Sequence, residues 1–119
     1  MIRGEIDSGV EGLMRVDRAH RIPTMQNHTA THVLNWALRE VLEIEGGGKV
    51  DQKGSLVDPE KTRFDFSHNQ AVTADEIALI EADVNAQIRG NDAVTTRLMT
   101  PDDAVAAGAL ALFGEKYGE

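Results

Sequence analysis

The sequence predicts an α+β fold: a small antiparallel sheet packed with two main helices and preceded by a short β segment. Three observations predict it. Residues 25–45 place apolar side chains at spacings of three and four, the period of a helix with one buried face. Residues 50–67 hold two short stretches either side of Asp58-Pro59, the pattern of a hairpin. Residues 73–89 repeat the helical period behind Thr73-Ala74-Asp75-Glu76, a capping box in which threonine and glutamate satisfy each other's end of the helix.

The 119 residues suffice for one domain with a core, and 41% hydrophobic with 27% charged residues is an ordinary globular composition. No apolar run is long enough to cross a bilayer, and the first residues do not read as a signal peptide. The absence of cysteine excludes disulfides and thiolate ligands and fits a reducing, cytoplasmic setting. The net charge of −8 is unevenly spread. Residues 1–74 carry 9 basic and 11 acidic side chains, and residues 75–119 carry 3 and 9. Any phosphate contact therefore falls to the first part, with Arg15, Arg18, Arg21, Lys49, Lys53, Lys61 and Arg63 as candidates against the plainer reading of a solvated surface.

In chain order, residues 2–6 and 13–18 are read as two short strands around Asp7-Ser8-Gly9. Pro23 punctuates the chain, and Thr24 is the expected N-cap of a helix over 25–45. Its apolar stripe is Ala30, Val33, Leu34, Ala37, Leu38, Val41 and Leu42. At about 100° per residue, His28, His32, Asn35 and Arg39 lie roughly opposite the centre of that stripe. Gly46-Gly47-Gly48 ends the helix. In the second strand Phe64 and Phe66 share a face and read as core, with a pocket wall as the alternative. Ile77, Ile80, Val84 and Ile88 form the stripe of the second helix, which Gly90 is expected to stop. Residues 94–99 are β-branched and alternating, so a strand is expected there. Thr100-Pro101-Asp102-Asp103 opens a short helix ending near Gly108.

The stretch that carries chemistry is Asn27-His28-Thr29-Ala30-Thr31-His32. Histidines four apart share one helix face and form a potential pair of metal ligands, although capping or surface histidines have the same spacing. Gly46-Gly47-Gly48-Lys49 fails the phosphate-loop pattern.

The His-x3-His stretch is similar to the metal-binding helix of the alanyl-tRNA synthetase editing domain. Asp51-Gln52-Lys53-Gly54-Ser55-Leu56-Val57 and Arg63-Phe64-Asp65-Phe66-Ser67-His68 resemble the stretches that follow it there. Thr95-Thr96-Arg97 and Ala109-Leu110-Ala111-Leu112-Phe113-Gly114-Glu115-Lys116-Tyr117-Gly118 fit the same pattern. The resemblance implies hydrolysis of tRNA(Ala) mischarged with serine or glycine, in the cytoplasm, with tRNA as partner and neither DNA nor a membrane. It implies a zinc cofactor held by His28 and His32 together with a cysteine and a histidine from a downstream Cys-x3-His motif. It makes Gln52 and Thr31 the candidate catalytic residues and Thr29, Asn35 and Phe66 candidates for the substrate pocket. A hydroxyl-binding pocket of this kind separates serine from alanine, because an analogue lacking the hydroxyl leaves buried polar groups unpaired.

The chain departs from the family pattern in having no cysteine, and His20 and His68 are outside that motif. The expectation is therefore residues 1–21 as the end of a preceding β-rich unit or linker, and 22–119 as an editing domain incomplete at its C-terminus. The ATP-binding aminoacylation domain is expected on the N-terminal side of the parent enzyme. The competing expectation is a catalytically inactive folded fragment that only binds tRNA or a partner.

Overall fold

Asp17 begins the first helix, α1, Arg18–Leu38, with its carboxylate accepting the Ala19 N–H at 3.0 Å. The structure, a computed structural model, describes residues 8–109. The strand expected at 2–6 and the family-like stretch 110–118 lie outside the described residues. Residues 13–17 form no strand, and the helix starts seven residues before the expected position. Pro23 sits inside α1, in its second turn. There it removes one hydrogen-bond donor without ending the helix, and the Thr24 hydroxyl, expected to cap, donates instead to the His20 carbonyl at 2.8 Å.

The helix does not continue as α to residue 45. Arg39–Glu45 is a π-helical stretch, a wide-turn form that is rare beyond a single turn. It closes on the glycines as expected: Gly47 has φ +71°, and the Gly48 N–H reaches the Leu42 carbonyl at 2.8 Å.

The hairpin forms as read. Strand β1, Asp51–Val57, pairs antiparallel with β2, Thr62–Ser67. Asp58 holds the turn, its Oδ1 accepting the Glu60 and Lys61 N–H groups, each at 2.8 Å. Those two donors, Lys61 first, hold its carboxyl below the ordinary aspartate range. The register runs Gln52 to Phe66 and then Gly54 to Asp65, so Lys53 is an extra residue in β1.

Helix α2, Ala74–Gly90, opens on the expected reciprocal capping box. Its last residue is Gly90, and the cap is Asn91, whose φ of 52° supplies the left-handed conformation expected of the glycine. The segment 94–99 is not a strand. Leu98 is 98% exposed and Val94 80%, and the described sheet has only the two hairpin strands. β-Branched composition suits a pleated surface but cannot replace a paired neighbour. Helix α3, Pro101–Ala106, follows with Thr100 as cap.

Ala37, Leu38, Val41, Leu42, Val50 and Ile80 are the buried core, with Leu34, Phe64, Phe66, Val72 and Val84 packed against it. Helix α1 is thus flanked by the hairpin and by α2, and the π stretch packs on α2. Ile77 and Ile88, at the ends of the α2 stripe, remain exposed.

Candidate functional site

His28 stands at the middle of α1 and His32 one turn further on, while the start of the helix lies beside the hairpin turn at Asp58–Glu60. His28 and His32 are exposed on one face, their ring centroids 5.0 Å apart and their planes inclined by 53°. Two imidazoles sharing one tetrahedral ion, with nitrogen–metal distances of about 2.0–2.1 Å, need ring centres roughly 5 Å apart. The pair therefore fits two ligands of a zinc ion by spacing and by donor type. Among the described residues no third His, Cys, Asp or Glu joins them.

The hairpin is fixed to this part of the helix by polar contacts. The Asn27 side-chain amide donates to the Asp58 carbonyl at 2.8 Å. One turn on, the buried Thr31 hydroxyl donates to the Asn27 carbonyl at 2.9 Å and is left with its oxygen to accept from the Thr62 hydroxyl. Thr31 therefore faces β2, and its hydroxyl is engaged by two protein partners. Thr29 is exposed beside His28.

Gln52 is half-buried and lies opposite Phe66 in the register. Directly paired residues share a sheet face. The Lys53 bulge resets the alternation, so Gln52 and Ser55 share the face carrying Phe66 and Phe64, whose rings are 6.1 Å apart. Phe64 and Phe66 pack on the core, as read from their alternation.

Asn35 and Arg39 are half-buried rather than part of a free polar stripe. The Asn35 Oδ1 and Arg39 Nε atoms are buried without a partner. The Arg39 Nη1 reaches both Glu43 carboxylate oxygens, at 3.3 and 3.2 Å. Glu43 in turn accepts the Val50 N–H at 2.6 Å, joining the π stretch to the residue before β1. Sequence reasoning missed Asn27 and Glu43. The i,i+4 spacing of Arg39 and Glu43 was the available signal for the latter. Nothing local announced that the same carboxylate would reach Val50.

A helix that exposes a His-x3-His pair, held by hydrogen bonds to a two-stranded hairpin, defines a small α+β unit. Comparison with known proteins gives the family. The chain is 62% identical over 116 residues, 98% of its length, to the alanine–tRNA ligase of Sphingopyxis alaskensis. It is 56% identical over all 119 residues to that of Parvibaculum lavamentivorans, and 53% identical over 116 residues to that of Bordetella avium. No protein-family model and no solved structure matches it. The chain belongs to the alanine–tRNA ligase family and spans about 13% of the length of these relatives.

Proposed function

We infer that the chain is part of the editing centre of an alanine–tRNA ligase, which hydrolyses the ester of Ser-tRNA(Ala) or Gly-tRNA(Ala). The observation that carries this reading is the exposed imidazole pair at ligand spacing in a chain of this family. His28 and His32 would hold zinc, which when bound polarises an ester carbonyl and acidifies water. Gln52, on the helix-facing side of the hairpin, offers an amide that donates to the ester and accepts from the amino group. Thr31 positions the histidines by tying α1 to Thr62. Thr29, exposed beside His28, offers a hydroxyl to a serine side chain, and Asn35 and Phe66 are the other pocket candidates.

A second reading, a folded segment inactive by itself that binds tRNA, is favoured by the two-donor count at the pair among the described residues. The two readings separate in one experiment. Ser-tRNA(Ala) is offered to the 119-residue chain, to an intact ligase containing it, and to that ligase carrying His32→Ala. Hydrolysis by the ligase is expected to fall by at least the roughly 100-fold that losses of outer-shell groups already reach. Unchanged hydrolysis by the variant overturns the zinc role. Activity of the chain alone removes the second reading. Calorimetry should find zinc binding to the isolated chain weaker than micromolar, since two imidazoles are the donors that the described residues bring together, and submicromolar affinity would refute that.

A further inference from the structure

The first turn of α1 contains no acidic residue and carries Arg18, His20 and Arg21. Cations at a helix N-terminus oppose the helix field, and the acid beside them, Asp17, is engaged as the helix cap. Both arginines are exposed, and the three ion pairs among the described residues involve Arg39, Lys49 and Arg63 instead. Arg18, Arg21, Met25, His28 and His32 follow at spacings of three and four, which puts all five on one face of one helix. Every one of them is exposed, Met25 at 58%. In a chain of net charge −8 this is a line of positive charge and soft apolar surface that ends on the imidazole pair.

We propose that this stripe is a track for a single-stranded RNA end: Arg18 and Arg21 hold backbone phosphates, Met25 supplies an apolar surface for the bases, and the terminal ester arrives at His28 and His32. The proposal rests on the editing reading for what lies at the end of the track. Its length favours a single strand over a duplex. From Arg18 to His28 is roughly 15 Å along the helix, less than half of the ~34 Å turn of a duplex. Guanidiniums suit phosphate because their fork of donors matches its oxygens. Of the hairpin cations, Lys49 and Arg63 are already paired with Asp51 and Asp65, and Lys53 and Lys61 stand off the helix stripe and serve as the control.

The test is fluorescence anisotropy of the 119-residue chain with an RNA acceptor-stem hairpin bearing a short single-stranded 3′ end, over roughly 50 to 200 mM salt. Each phosphate contact to a single strand contributes about 0.7 to the slope of log affinity against log salt. The double variant Arg18→Ala/Arg21→Ala should therefore flatten the slope by about 1.4. Alanine is a good helix former, and unchanged circular dichroism would show that α1 persists. Lys53→Ala/Lys61→Ala should leave the slope unaltered, and the RNA hairpin without its overhang should bind more weakly. An unaltered slope in the arginine variant overturns the track, as does a flattened slope in the lysine variant alone. Equal affinity for the overhang-free RNA, or no saturation by about 100 µM, the weak end of non-specific binding, also overturns it. None of these readings needs hydrolysis, so failure of the editing assay and failure of the track are separately visible.

Discussion

Helices α1 and α2 are built from the same apolar period, but they treat local rules oppositely. Helix α2 opens on a reciprocal capping box, carries Asp75 and Glu76 in its first turn and Arg89 in its last, and closes on a left-handed Asn91. Helix α1, behind its Asp17 cap, carries cations in its first turn, contains Pro23, passes into a π stretch, and buries polar atoms of Asn35 and Arg39 without partners. Where every level of the sequence agrees, the element serves the fold. Where local rules are broken together, a site is the physical suspicion, and α1 is the helix that bears the histidines.

The largest test of that contrast is in the core. Leu42→Ala empties a side chain that is 1% exposed within the π stretch, and should cost about 3 kcal/mol in denaturant unfolding. Glu43→Ala comes next, at about 2 kcal/mol, because it leaves the Val50 N–H and the Arg39 guanidinium without their shared acceptor. A loss well under 1 kcal/mol would mean that the π stretch does not depend on this carboxylate. Thr73→Ala in the regular helix should cost about 1 kcal/mol. Asp17→Ala should cost only a few tenths, since the first turn of α1 is exposed and can fray. Equal losses at the two caps would break the comparison between the helices.

Acid unfolding adds a smaller test. The Thr73 backbone N–H, and after it the Thr73 hydroxyl, hold the Glu76 carboxyl below its ordinary range. A carboxylate with a depressed pKa in the folded state contributes stability above its unfolded value. That contribution is lost as pH falls through the lowered one. Glu76→Gln should therefore flatten the decline in stability below roughly pH 4.5, and an unchanged acid limb would refute the assignment.

What was legible in the sequence was what short-range chemistry decides. Asp58-Pro59 made the turn and Thr73 with Glu76 made the cap, each within four residues. The alternation of Phe64 and Phe66 gave the core face of the hairpin. The beginning of α1 was missed because Pro23 reads as a boundary, whereas in a second turn it costs one donor. Residues 94–99 have the composition of a strand, but strand formation needs a neighbour that composition does not supply. The contacts of Glu43 with Val50 and of Thr31 with Thr62 join partners 7 and 31 residues apart, beyond the reach of local pattern. The histidine pair itself was plain from spacing, while its company on the hairpin needed the fold.

Lys53 gives β1 a property best described as parity. A strand's side chains occupy two states, towards the helices or away from them, and one residue too many inverts every state beyond it. The bulge absorbs that odd count, leaving Gln52 opposite Phe66. If the strand straightened without losing a residue, Lys53 would take the place of Gln52. An ammonium would then stand where the amide does, on the side facing α1. The change is switched rather than graded: no intermediate register offers half an amide. A single unpaired backbone position thus decides which functional group the hairpin turns towards the helix.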